Sequence, residues 1–163
     1  MKNKSFFIFG YLVMVLSYQA CQYENAETKS VNELYTDATA TELTNYQNGT
    51  ILAGVSPSPH GLFKLRFNAI AQAALDSLGE LPVGATFPNG SLIVKEIYSG
   101  STISLIAVMK KDAASNNAGN GWVWAEFKPN GETDYGIEKK GEACIGCHSG
   151  TPNRDLTRTF DLH

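Results

Sequence analysis

Near the C-terminus stands Cys144-Ile145-Gly146-Cys147-His148, two cysteines three positions apart with a histidine directly after the second. On one helical turn, cysteines at this spacing lie on the same side. Their thiols can reach the two vinyl groups on one edge of a haem and close thioether bonds, while the histidine comes under the iron as an axial ligand. Gly146 would let the backbone pass close to the porphyrin. The expected cofactor is therefore one covalent haem c per chain, attached at Cys144 and Cys147 and ligated by His148. Other uses of the motif fit less well. A thioredoxin-like redox pair belongs early in a βαβ unit. A structural zinc site takes four ligands, and only His60 and His163 remain as distant additions. A Cys144–Cys147 disulfide would be strained.

The third cysteine has a different setting. Lys2 and Lys4 open the chain, and Phe6 to Leu16 form an apolar run. That run falls short of the roughly 20 residues needed to span a bilayer. It reads as the apolar region of a secretory signal peptide. Ala20 directly before Cys21 is similar to a bacterial lipobox, although Tyr18 and Gln19 depart from the usual pattern. Residues 1–21 are expected to be a leader with Cys21 as its lipidation site; a plain cleaved leader is the alternative. Covalent haem attachment of this kind takes place outside the cytoplasm, in agreement with a leader. The expected location is the periplasm or cell envelope, with membrane contact only through a lipid anchor.

The rest of the chain must position the motif. Hydrophobic residues are 43% of the 163 and charged residues 18%. The charged share lies below the usual ~25%, so a folded core is expected rather than a charged disordered chain. Without Lys2 and Lys4, 11 basic residues face 16 acidic ones, a net charge of −5. That balance argues against nucleic-acid binding, which needs a basic patch. Residues 22–50 are polar and read as a tether, with a short helix within Val31 to Leu43. Ser56-Pro57-Ser58-Pro59 is a stiff stop. Residues 51–163 are the expected haem domain.

In His60 to Leu78, apolar Phe63, Phe67, Ile70, Ala74 and Leu78 recur at three- and four-residue steps, which predicts a long amphipathic helix closed by Gly79. Ser91–Tyr98, Thr102–Met109 and Trp122–Lys128 read as strands, with Asn89-Gly90, Ser99-Gly100-Ser101 and Pro129-Asn130-Gly131 as their turns. Short connections favour antiparallel neighbours. The expected class is α+β: an antiparallel sheet packed with a long helix, and a short C-terminal haem-binding helix.

Only fifteen residues follow His148, and none is methionine. Met109, the single methionine after the leader, lies in a predicted strand and reads as core. His60 and His163 read as solvated or structural. These residues favour a five-coordinate iron with an open distal face, which suits small ligands better than electron transfer. Arg154 and Arg158 could pair with haem propionates, and Asp155 could orient the loop or the proximal side. Trp122 and Trp124 share a strand face and read as core or as a dimer contact.

From about His60 to His163 the chain resembles the cytochrome P-460 family, including its cytochrome c′-β branch. The resemblance rests on Phe87-Pro88-Asn89-Gly90-Ser91-Leu92-Ile93-Val94-Lys95-Glu96, on Gly121-Trp122-Val123-Trp124, on the cysteine–histidine motif, and on Asn153-Arg154-Asp155 through Phe160. It implies a β-rich, homodimeric c-haem protein that binds nitric oxide and, in some members, oxidises hydroxylamine. It also implies that a lysine at the position of Lys95 is bonded to a haem meso carbon in members with the P-460 chromophore. Alternation puts Lys95 with Ile93 and Ile97 on one strand face, and Glu96 on the other. Hydroxylamine-oxidising members use a distal carboxylate, and Ser104-Leu105-Ile106-Ala107-Val108, the strand expected to supply it, has none. An apolar distal pocket fits the c′-β branch better, with Phe63, Phe67, Phe87 and Phe127 as candidate caps. The expected function is binding of nitric oxide or a related small nitrogen species, for detoxification or sensing. Hydroxylamine oxidation at a lysine-cross-linked haem and plain electron transfer to an unknown redox partner are the alternatives.

Overall fold

A computed structural model of the chain describes residues 30–56 and 58–162. The leader, Cys21, Pro57 and His163 lie outside the described residues. Residues 30–39 are helical (α1). From Tyr35 onward they belong to a compact unit that runs to His163. This unit starts earlier than the expected boundary at residue 51. The polar segment contributes β1, Thr44–Asn45, which pairs with the strand Leu62–Phe67, and it buries Tyr46.

Among the described residues seven strands form one antiparallel sheet. After β1 come β2 (Leu52–Ala53), β3 (Leu62–Phe67), β4 (Leu92–Ser99), β5 (Thr102–Lys111), β6 (Trp122–Phe127) and β7 (Thr133–Tyr135). Their order across the sheet is β1-β3-β4-β5-β6-β7, and β2 also pairs with β3. The helices are α2 (Ala69–Gln72) and α3 (Glu142–His148). The α+β class holds, and so do the three predicted strands and the short C-terminal helix.

The long helix over His60–Leu78 does not form. Its first half is β3 and its second half is the single turn α2 followed by loop. The reason lies in Phe63-Lys64-Leu65-Arg66-Phe67, which satisfies two periodicities at once. Phe63 and Phe67 are four apart, as on a helix. Yet Leu65 between them completes a strict alternation, the period of a half-buried strand. β4 pairs with this segment along all six residues, β1 and β2 pair with its other edge, and Phe63, Leu65 and Phe67 are buried together. Asn68 then ends the strand and caps α2. Its Oδ1 accepts from Ala71 N and Leu92 N at 3.0 Å each, and its Nδ2 donates to Gly90 O at 2.9 Å.

Alternation gives the sheet two faces of different character. On the back, Val94, Val108, Ala125 and Phe127 are buried. Residues 35–39 of α1 cover them: the Tyr35 ring meets Phe127 edge-on at 5.3 Å, and Arg66 Nη2 donates to Ala38 O at 2.6 Å. Lys110 Nζ reaches Asp37 Oδ2 at 2.9 Å. On the front, Phe67, Trp122, Phe87, Tyr46 and Phe160 form the main aromatic core. The C-terminal stretch closes over it, with Phe160 stacked on Phe67 at 6.2 Å.

Candidate haem site

Helix α3 carries the motif, and two glycines dock it on the sheet. Gly141 at its N-terminus has a φ of +72°, a conformation that disfavours side chains. A Cβ there would overlap the Trp124 indole, and one on Gly119 would overlap the Lys140 carbonyl. The helix can therefore lie directly against β6. Both thiols are free; Cys144 is half-buried and Cys147 exposed. Burial, then Glu126 and Cys147, pushes the Cys144 thiol up to about 11. Gly146 meets no protein atom, so nothing within the chain itself demands a glycine there.

His148 is fixed on two sides. Its Nδ1 lies 2.6 Å from Leu156 O. A carbonyl can only accept, so Nδ1 carries the proton and Nε2 is left as the free ligand atom. Trp124 packs edge-to-face on the ring at 5.1 Å. Burial lowers the imidazole's basicity, against the raising effect of the Leu156 carbonyl; the positive Lys95 and Arg158 lower it further. The carbonyl is presented by an unusual turn, because Asp155 and Leu156 both have left-handed backbone, φ +51° and +67°. Asp155 anchors that turn. It accepts from Lys111 Nζ at 2.7 Å and from Phe87 N at 2.9 Å, both through a nearly buried carboxylate. Such an outer contact sets the orientation of a ligating histidine.

His148, Cys144 and Cys147 line a cavity of about 320 Å³. The sheet's front face supplies one wall. Leu65, Lys95, Ala107, Glu126 and Tyr135 are register partners on successive strands and so share a face. All five line the cavity, with Ile93, Met109 and Trp124 beside them. Lys95 is thus where the strand alternation predicted, and Glu96 is on the back with Arg66 at 3.3 Å. The Lys95 ammonium lies 4.3 Å from the Phe63 ring centre, and burial pulls its pKa down to about 8.

Two predicted features are corrected here. None of Phe63, Phe67, Phe87 and Phe127 lines the cavity. Phe127 is on the back of the sheet, and Phe67 and Phe87 belong to the aromatic core. The apolar part of the wall is made of Leu65, Ile93, Ala107, Met109 and Trp124, from β3 to β6. The two arginines also separate. Arg154 is turned to the structure, bonding Glu80 and Asp161 at 3.2 Å each and the Leu81 carbonyl. Arg158 lines the cavity.

In the sequence Glu126 went unnoticed, and His60 reads as a solvated or structural residue. Glu126 faces the cavity, and burial together with Asp134 raises its carboxyl above the usual range. The alternation Trp122-Val123-Trp124-Ala125-Glu126 places it on the tryptophan face, which was the available signal. His60 also lines the cavity, with its ring centre 6.5 Å from that of His148. Burial, then Lys95 and His148, lowers its pKa to about 4, so the imidazole is neutral at ordinary pH. Nothing in sequence periodicity reports on a loop residue of this kind.

The residues fit a haem. Arg158 Nε and Thr157 Oγ1 are buried at the cavity wall without a hydrogen-bond partner. Buried unpaired donors are costly, and a propionate at this wall would satisfy them. Gly150 makes room for the Arg158 guanidinium, which a Cβ there would overlap. Free thiols, one orientated imidazole, apolar walls and unpaired donors together define a haem pocket. The family model described as Cytochrome P460 matches residues 67–159, more than half of the chain. The chain belongs to the cytochrome P460 family, and it is a haem-binding cytochrome. No curated protein matches it.

Proposed function

We propose that the chain is an exported c-type haem protein that binds nitric oxide or a related small nitrogen species, for detoxification or sensing. One observation carries this reading: His148, held in a single tautomer by Leu156, faces a cavity to which Leu65, Ile93, Ala107 and Met109 contribute an apolar patch. Bound haem supplies an iron whose face away from His148 takes small ligands. Cys144 and Cys147 would form the thioethers, and Arg158 would pair with a propionate. Lipidation at Cys21, a periplasmic or envelope location and a homodimer complete the proposal, supported by the leader pattern and by the family likeness. Titration of the ferrous protein with nitric oxide tests it. Tight one-to-one binding is expected; no spectral change would overturn it.

A second reading, hydroxylamine oxidation, is favoured by one specific observation. Lys95 and Glu126 stand in the same cross-strand row of the cavity wall. The carboxylate sought in β5 is thus available from β6. Oxidising hydroxylamine releases protons, and Glu126 is a base near the site. Its raised affinity for protons suits that role. Lys95 is the residue for a bond to the haem edge. Turnover with hydroxylamine and an electron acceptor, lost in Glu126→Gln while nitric oxide binding persists, is the expected result. A haem spectrum in denaturant that is the same in wild type and Lys95→Ala would exclude the lysine bond.

A further inference from the structure

We infer that His60 is a second, displaceable axial ligand of the haem iron, so that the resting protein is six-coordinate and small ligands enter by replacing it. The inference rests on the haem-binding reading above and departs from the five-coordinate iron expected from sequence.

The argument is one of distance. Two imidazoles on opposite faces of one metal, with metal–nitrogen bonds of about 2.0–2.1 Å, have ring centres about 6.3 Å apart. The His60 and His148 centres are 6.5 Å apart. A histidine that only hydrogen-bonds to an iron-bound ligand must stand back by the length of that ligand and a hydrogen bond of about 2.7–3.2 Å. That separation is well beyond the one observed. Trp124, at 5.1 Å from the same ring, is too close to leave room for an iron between and therefore flanks His148 on its own side.

The loop that carries His60 is built to hold it there. Gly54 N donates to Gly61 O at 2.7 Å, and Val55 N donates to Leu162 O at 3.0 Å, so the loop is tied to the C-terminal stretch that also lines the cavity. Gly61 has a φ of +57°, which lets the chain turn directly after His60 into β3. The His60 backbone N–H lies 3.4 Å from Ser58 Oγ. The tether is a loop of few residues rather than a helix or strand, so the ligand can leave without unfolding the sheet. Met109, the soft alternative, is fixed in β5 between Ile93 and Trp124. Lys95 has its ammonium over the Phe63 ring.

The test is the spin state of the full-length holoprotein by optical and electron paramagnetic resonance spectroscopy. Wild type is expected to be low-spin in both oxidation states. His60→Ala should be high-spin, and added imidazole should return it to low spin. Nitric oxide binding to the wild type should level off in rate at high ligand concentration, whereas His60→Ala should bind at least tenfold faster with no plateau. Where His60→Ala does not load haem, His60→Gln keeps the size of the side chain and should show the same change. A high-spin wild type overturns the inference, as does a low-spin spectrum that survives both substitutions. If the wild type is high-spin and binds nitric oxide, only the sixth ligand is wrong. If neither wild type nor His60→Ala binds it, the proposed function fails instead.

Discussion

The two faces of the sheet are made from the same strands and are finished in different ways. The back face is filled by its own chain: Val94, Val108 and Phe127 are sealed by residues 35–39, and the Tyr35 hydroxyl ties down by donating to Pro129 O at 2.8 Å. The front face has a void beside the aromatic core. Its wall holds a lysine and a glutamate whose protonation burial has shifted, and two polar atoms without partners. The back therefore stabilises the unit by itself, and the front is completed by the cofactor.

Substitutions that treat the faces unequally test this contrast. The largest effect is expected from Ala107→Phe, which puts a bulky side chain into the cavity. Haem loading, measured as haemochrome per chain, should be abolished while the far-ultraviolet circular dichroism stays native. Loading at the wild-type level would mean that the haem sits elsewhere. On the back, Phe127→Ala should cost about 3–5 kcal/mol in denaturant unfolding. The haem spectrum of that variant should not change.

Lys95 offers a smaller effect with a defined sign. Its folded pKa of about 8 lies below the ordinary 10.5, so between these values the unfolded chain holds a proton that the folded chain does not. The haem-free protein should gain stability as pH rises through that window, by up to about 3 kcal/mol. Lys95→Met should remove this gain, and an equal rise in the variant would assign it to other groups. The smallest effect separates the two arginines. Arg154→Ala breaks three structural contacts and should cost about 1–3 kcal/mol. Arg158→Ala should leave the haem-free stability near wild type and lower haem retention, read as the yield of holoprotein.

Much of this contrast was legible before the structure. The motif and α3 are local, so spacing alone places Cys144, Cys147 and His148. Strands β4, β5 and β6 were found within a few residues because alternation and turn residues agree there. Asn89-Gly90 and Gly100 supply the positive φ their turns require. Lys95 was placed on the correct face by alternation. The failures share one cause, which is pairing between distant segments. Phe63 to Phe67 carries both periods, and only β4 alongside decides for strand. Glu126 shares a face with Lys95 only through β5 between them. His60 and Arg158 are brought to the cavity by loops, whose course no periodicity encodes. Arg154 and Arg158 look equivalent in the chain and differ only in what Glu80 and Asp161 do to one of them.

The cross-strand row has a consequence for charge. Lys95 and Glu126 are separated by the whole of β5, and adjacent strands lie about 4.8 Å apart, so their backbones are roughly 10 Å from each other. Ala107 between them has no side chain to bridge the gap. No ion pair joins the two groups, because the Lys95 ammonium is turned over the Phe63 ring, and the sheet holds them at opposite ends of one cross-strand row. With Lys95 protonated and Glu126 ionised, a molecule seated there would lie in a field directed from the lysine end to the glutamate end. The pocket thus has a polarity as well as a volume, and it would set a small dipolar guest in one orientation.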